Sequence, residues 1–313
     1  QNDDVLEPDL DDLSNGNLNG WKSLQNLKFK NSSNFIISYL NINSIRNKFS
    51  DLQVLVEKTF DVITIAESKL DESFPSSDFN LQGYQFPPFR IDCTSNSGGL
   101  LTFVKSGIPT RHLTNFKLDP ALHILPLEIR LRKDKLLVFN IYRPDRINID
   151  LFFNTLSDAI HFYEVDYHNI IVIGDFNLDP TDPKVARFLE LNDMSNVMKS
   201  KTCFKSERGT CIDLILTNSK NSIKNTGIVE TGLSDYHRLI YAMLKLKYTK
   251  LPPTIIKYRK YKNFNEDLFL YELDYCVSRN NIENYDEFEN IFNNILNRHV
   301  PLKTKYLRAN NKP

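Results

Sequence analysis

The strings of this chain that could do chemistry stand at the ends of apolar runs. The clearest is Gly174-Asp175-Phe176-Asn177, which closes the run Asn169 to Ile173. An Asp and an Asn two residues apart in extended chain point to one side and can share one small target. Gly174 has no side chain, so a phosphate or the facing backbone can come close. Comparable groups end other runs: Asn41-Ile42-Asn43, Glu67-Ser68-Lys69, Tyr142-Arg143-Pro144 and Ser234-Asp235-Tyr236-His237, with Asp213 at the start of a further run. Each also has a structural reading. Asp175 and Asn177 can form a turn that bonds its own backbone, and Asn41 and Asn43 can cap a following helix. Glu67 can be a surface acid, Tyr142 a core residue, Asp213 the partner of a surface cation, and His237 a solvated loop histidine.

The elements that must position these groups follow from hydrophobic periodicity. FIISYL (35 to 40), DVITIAE, GLLTFVK, ILPLEIRL, KLLVFNIY, NIIVIG, CIDLILT and RLIYAML (238 to 244) read as strands, several buried on both faces. Helical spacing follows Ser44 at Ile45, Phe49, Leu52 and Val56, and recurs over 149–165 and 183–191. Strands that pair directly and also alternate with helices imply mixed sheets covered by helices, an α/β layered sandwich. In open α/β sheets, ligands bind where loops gather at one end of the strands, which makes the polar strand ends candidates for one cleft.

The 313 residues suffice for one large domain with appendages. Lys and Arg number 39, as do Asp and Glu, so any polyanion contact must come from local patches. Cys93, Cys203, Cys211 and Cys276 are far apart, which argues against a zinc site or disulfide framework and fits a reducing compartment. No run is of membrane-spanning length and no charged-then-apolar leader is visible, so a soluble chain is expected. The missing initiator Met points to a fragment. Three regions are expected: a flexible leader over 1–33, a globular domain over 34–247, and a connector over 248–313. The connector opens with Pro252-Pro253 and the basic and aromatic run Lys257 to Lys262, which could contact a phosphate backbone or be a solvated spacer. Helix-like stretches follow near 266–277 and 285–296.

The order Asn41, Glu67, Tyr142, Asp175-x-Asn177, Asp213, His237 resembles the endonuclease/exonuclease/phosphatase superfamily over about Phe35 to Leu246. Within it the chain is most similar to the apurinic-endonuclease-like domain of LINE-type (non-LTR) retrotransposons. The strings that carry the resemblance are SYLNINSIRNKF (38 to 49), ITIAESKLDESF (63 to 74), Arg90-x-Asp92 before Gly98-Gly99, FNIYRP (139 to 144), GDFNLDP (174 to 180), Thr202 with CIDLILTN (211 to 218), and TGLSDYHRLIY (231 to 241).

The resemblance implies a four-layered α/β sandwich, with two mixed β-sheets packed face to face and flanked by helices. It implies a DNA endonuclease that hydrolyses a phosphodiester and leaves a 3′-hydroxyl primer for insertion. Mg²⁺ would serve, or Mn²⁺ in its place, with no small-molecule cofactor. Glu67 would supply the metal carboxylate, with Asn41 and Asn43 close by. Asp175 would deprotonate the attacking water, Asn177 and Tyr142 would donate to phosphate oxygens, and Asp213 would stabilise an imidazolium on His237. The family places Asp directly before this His; here Tyr236 intervenes, and Asp235 is retained as the metal-side acid. Arg90, Arg143, Thr202, Lys205 and Arg208 are the expected substrate contacts, on double-stranded DNA, with the 203–211 loop either a minor-groove probe or a plain hairpin turn around Gly209. A following reverse transcriptase, a nuclear setting and no membrane complete the expectation. The 5-phosphatase branch carries a Trp-Cys-Asp-Arg segment, whereas the one Trp here is Trp21. The alternatives are a catalytically inactive DNA- or partner-binding module and an apurinic-site repair endonuclease.

Overall fold

The computed structural model describes residues 16–56, 59–132, 134–247, 254–280, 282 and 284–307. Two six-stranded sheets form the body of the chain up to Thr249. The first runs β11 (Ile223–Val229), β12 (Leu239–Lys247), β1 (Asn34–Asn41), β2 (Val62–Ala66), β4 (Leu100–Val104) and β3 (Phe89–Ile91). The second runs β5 (Thr110–His112), β6 (Ile124–Arg130), β7 (Lys135–Tyr142), β8 (Asn169–Asp175), β10 (Asp213–Thr217) and β9 (Ser195–Asn196). Each sheet has one parallel pair, β1 with β2 and β7 with β8, and is otherwise antiparallel.

Every residue of β1, β2, β4 and β10 is buried, which is why these strands read as continuous apolar runs rather than alternating ones. Period-two geometry divides β1 between two environments. Phe35, Ile37 and Tyr39 join a core with β6, β7 and β8, while Ile36 and Leu40 pack with Leu52 and Val56 of α2 (Phe49–Val56) on the outer face. The buried Asn140 of β7 crosses between the sheets, its amide donating to the carbonyls of Ile65 and Leu101 at 3.3 Å each and to Thr102 Oγ1 at 3.1 Å. Helices α3 (Ile149–Glu164) and α4 (Pro183–Leu191) add Phe152, Phe153, Leu156, Val185 and Phe188 to the larger core. Asn148 and Asp182 cap their first turns.

Three expectations need correction. Of the leader, residues 1–15 lie outside the described residues, but Gly16–Lys30 is a helix, α1, that buries Leu24 and sets Trp21 against Phe60 at 5.9 Å. Buried Lys28 donates to Asp61 at 2.6 Å and to the Asn34 carbonyl, which ties this helix to the start of β1. Helix α2 starts at Phe49, not after Ser44: Asn43 and Ser44 turn left-handed, with φ +50° and +81°, and Ile45 to Lys48 form a separate turn closed by the Lys48 N–H on the Ile45 carbonyl at 3.0 Å. Finally, the region from Lys250 is a compact unit of its own. It pairs β13 (Thr254–Tyr258) with β14 (Lys303–Leu307), and α5 (Glu266–Arg279) and α6 (Tyr285–His299) bury Phe269 and Ile295. Pro252-Pro253 lies outside the described residues.

Gly174 illustrates how tightly β7 and β8 are joined. A Cβ there would lie 2.1 Å from the Ile141 carbonyl oxygen, so it is the facing backbone, not a ligand, that needs the bare Cα. Gly174→Ala should therefore destabilise the domain by about 1–3 kcal/mol, a fall of roughly 2–4 °C in Tm per kcal/mol. Thermal unfolding by circular dichroism checks this, and an unchanged Tm would show that the pair is not close-packed.

Candidate active site

The polar strand ends meet because the two parallel pairs finish at the same edge. In the first sheet Asn41 is level with Ala66, the residue before Glu67; in the second, Tyr142 is level with Asp175. Asp213 opens β10 directly opposite Asp175, and His237 lies two residues before β12, the strand beside β1. Both antiparallel neighbours thus begin where the parallel strands end.

Asn41 and Tyr142 link the sheets at this edge. Asn41 Nδ2 donates to Asp175 Oδ2 at 3.0 Å and to Glu67 Oε1 at 3.2 Å. Tyr142 donates its hydroxyl to the same Glu67 oxygen at 2.9 Å. His237 Nδ1 lies 2.9 and 3.1 Å from the two Asp213 oxygens, which leaves Nε2 facing Asp175 Oδ2 at 4.0 Å. Asn43, Glu67 and Asn177 all have φ near +50°, a region that Asn tolerates and Glu rarely enters. The Glu67 turn is held there by backbone N–H donation from Ser68 to Gly99 and from Lys69 to Gly98. Gly99 itself has φ +88°, and a Cβ on it would meet Ser68 Oγ at 2.4 Å.

Burial sets the electrostatics. Asp175 is 1% exposed, and loss of hydration, reinforced by the charge of Asp213, lifts its carboxyl to about 7. His237, Asn41 and the Asn177 N–H pull it the other way. For His237 burial alone would lower the pKa, but the hydrogen bond and charge of Asp213, with contributions from Cys203 and Asp175, outweigh it and raise the group to about 11. At neutral pH the ring is an imidazolium. Burial and the Glu67 carboxylate push the Tyr142 phenol upward, so it stays a donor.

The expected site residues fall into four sets. Asn41, Glu67, Tyr142, Asp175, Asp213 and His237 come together as described. Asn177 is adjacent but turned: its chain is left-handed rather than extended, its N–H donates to Asp175 Oδ1 at 2.9 Å, and one amide hydrogen goes to the Arg143 carbonyl at 2.9 Å. On the other side of Glu67, Asn43 reaches Asp235 Oδ2 at 3.5 Å, so the extra Tyr236 does not carry Asp235 away from the site. Tyr236 instead points outward at 45% exposure, while its carbonyl accepts from the Phe204 N–H.

Three expected substrate contacts are framework instead. Arg90 is spent on both Asp92 oxygens, at 2.6 and 2.8 Å, and on the carbonyls of Phe74 and Asp71. Arg143 is 2% exposed and donates to the carbonyls of Phe176 and Asn177, clamping the turn that carries Asp175. Thr202 is fully buried and accepts the N–H groups of Ile212 and Asp213, fixing the start of β10. Lys205 and Arg208 are exposed on the 203–210 loop.

Several participants went unread in the sequence. Lys69 donates to Asn43 Oδ1 at 2.5 Å and lies 3.7 Å from Glu67 Oε2. Tyr39 is buried beneath Asp175 and Asp213, its phenol kept neutral by burial and by their charges. His123 sets its ring edge-on to Tyr142, 5.8 Å between centroids. Tyr39 was discoverable, since it stands two residues before Asn41 on the same face of β1; His123 and Lys69 carry no such signal.

Glu67, Asn43 and Asp235 offer hard oxygen donors, and the Glu67 side chain is 22% exposed, so the set suits a Mg²⁺-like ion that keeps several waters. The Lys69 ammonium beside Glu67 marks the same spot as one that accepts positive charge.

Histidine-selective NMR tests the electrostatics: His237 should titrate far above 6.5, near 11, and Asp213→Asn should bring it down sharply. Titration near 6.5 in the parent would contradict the assigned charge state. Because the folded pKa is the higher one, the contribution of this group to stability is complete below about 6.5 and is lost as pH rises through about 11.

The model of the Endonuclease/Exonuclease/phosphatase family matches residues 38–235. A comparison with curated protein sequences gives no match. Among solved structures, the fold is similar to the AP endonuclease LMAP from Leishmania major, with TM-score 0.60 and 14% identity over 72% of this chain and 91% of that one. The Xenopus laevis APE2 catalytic domain gives TM-score 0.53 and 21% identity over 68% of this chain and 92% of that one. The endonuclease domain of TRAS1, a telomere-specific non-LTR retrotransposon, gives TM-score 0.54 and 11% identity over 68% and 99%. With the family model covering residues 38–235, more than half of the chain, and the two-sheet α/β fold shared with these structures, the chain belongs to the Endonuclease/Exonuclease/phosphatase family.

Proposed function

We propose that the chain is a Mg²⁺-dependent endonuclease that nicks double-stranded DNA and leaves a 3′-hydroxyl to prime retrotransposon insertion. One observation carries the reading: a buried carboxylate raised to about 7 and a half-buried imidazolium face each other across 4.0 Å, with Asn41 and Tyr142 both hydrogen-bonded to Glu67 beside them. A base near neutrality and a permanent cation 4 Å away are what in-line attack of water on a phosphodiester requires.

In this reading Asp175 takes the proton of the attacking water. The His237 imidazolium and the Tyr142 hydroxyl donate to non-bridging oxygens, as does the second amide hydrogen of Asn177. The P–O3′ bond breaks, leaving a 5′-phosphate, and the departing oxygen takes a proton from solvent to become the 3′-hydroxyl. Held by Glu67 with Asn43 and Asp235, Mg²⁺ would supply positive charge against the phosphate and the leaving oxygen. Lys205 and Arg208, exposed on the loop that runs back to Cys211, are the candidates for phosphate contacts that orient the duplex. The retrotransposon assignment is supported by the strings quoted above and by the fold likeness to the TRAS1 domain. A chromosomal target implies action in the nucleus. The basic and aromatic run 257–262 would lie between this domain and a following reverse transcriptase.

Likeness to the AP endonuclease LMAP favours a second reading, cleavage at abasic sites. Purified protein on supercoiled plasmid decides between enzyme and binding module. Open circles should form with Mg²⁺ and not with EDTA, and Asp175→Ala or His237→Ala should each cost at least about 10²–10³ in rate. Folded, DNA-binding protein that never nicks would leave only the module. A strong preference for an abasic over an intact duplex of the same sequence would replace target nicking with repair.

A further inference from the structure

The basic and aromatic run near the start of the Lys250–Pro313 unit takes no part in the hydrolytic site. Lys257, Arg259, Lys260 and Lys262 lie on β13 and the turn Tyr261–Asn263 just after it, Lys303 and Lys305 lie on β14, and neither stretch, 254–265 or 300–307, contains an acid. The described acids of this unit all lie on α5 and α6. A chain with no net charge thus concentrates cations on one ribbon, which is what a polyanion surface requires. We propose that the β13–β14 ribbon and the turn after β13 bind a single-stranded nucleic acid.

The register builds the surface. Tyr258 is paired with Lys303 and Ile256 with Lys305, so Tyr258 and both lysines share one face, with the lysines about 7 Å apart along the strand. Lys257, Lys260, Lys262, Lys303 and Lys305 are exposed, and none makes a hydrogen bond or ion pair with the described residues. The other described cations of the unit are engaged: Arg259 donates to the Val300 carbonyl, Arg298 and His299 pair with Glu272, and Arg279 lies over the Tyr275 ring. The Arg259 bond also braces the ribbon against the C-terminal end of α6, so the surface is formed in advance.

The tyrosines distinguish a single strand from a duplex. Tyr258 is 39% and Tyr261 54% exposed, and Tyr261 is held edge-on to Phe264 at 5.8 Å. Unpaired bases can stack on such rings, whereas the bases of a duplex are already stacked on each other. Lysines alone would serve to keep a ribbon edge from pairing with other chains. That task calls for no exposed tyrosine among them.

Binding of this kind is independent of the nuclease site, and the test is run on the intact chain in EDTA. Fluorescence anisotropy follows labelled oligo(dT) and oligo(U) of about 12 nucleotides. Lys303→Gln/Lys305→Gln should weaken binding at least tenfold at low salt and reduce the slope of log K against log salt by about 1.4, two contacts at about 0.7 each. Tyr258→Ala should cost about fivefold or more, while Tyr258→Phe, which keeps the ring, should bind like the parent. Lys205→Gln/Arg208→Gln, in the other unit, should also bind like the parent. Tighter binding of oligo(U) would name RNA as the strand, and of oligo(dT) DNA; either supports the site. A parent that binds neither, or an unchanged affinity and slope in the lysine variant, overturns it. Equal loss in Tyr258→Phe and Tyr258→Ala would refute stacking. A duplex that competes better than the strand through the same lysines would refute the single-strand assignment, and polyglutamate that competes equally would make this a site for acidic proteins instead.

Discussion

Two carboxylates withdrawn from water and placed side by side are the constraint on which the structure depends. Asp175 and Asp213 are neighbours across β8 and β10, almost without exposure. Two bare anions in that position would be expensive, because burial and mutual repulsion both disfavour charge. His237 resolves the conflict by bringing one positive charge against Asp213 while facing Asp175. The pair it leaves behind is asymmetric. One carboxylate is committed to the imidazolium, and the other, held by Asn41 and by its own turn, is poised near neutrality. Ground-state cost and chemical reactivity have one origin here.

The fold serves this arrangement through repetition. Both sheets place a parallel pair at their centre, and both pairs end at one edge, so residues from six segments of chain converge without a long loop. Around them lies a layer of groups that touch only other protein atoms. Arg143 clamps the Asp175 turn, Thr202 anchors the start of β10, and Gly98-Gly99 hold the Glu67 turn. Substituting this layer would displace the reacting groups rather than remove them.

Much of this was legible in the sequence because the central strands are buried on both faces and their apolar runs end abruptly in polar residues. Asn41, Glu67, Asp175 and Asp213 were found that way. Edge strands such as β3 and β5 were not, being three residues long and partly exposed. Nor was α1, whose sparse apolar residues, Trp21, Leu24 and Leu27, lie in a polar, Asn-rich stretch. Arg90 and Arg143 misled for a physical reason: an arginine beside a candidate site looks alike whether its guanidinium faces a phosphate or bonds backbone carbonyls, and only three-dimensional contacts distinguish the two. The Cys203–His237 approach was invisible because the residues are 34 apart and meet through an isolated backbone bridge.

In the proposed reaction Asp175 acts as the base while His237 remains charged throughout. The single-turnover rate of DNA nicking between pH 5.5 and 9.5 at constant saturating Mg²⁺ tests it most directly. These roles require a rate that rises about tenfold per pH unit below about 7, levels off as Asp175 ionises, and holds through pH 9.5 because His237 keeps its proton to about 11. A rate that peaks and falls between pH 6 and 8 would mean that His237 titrates in that range, and would contradict them.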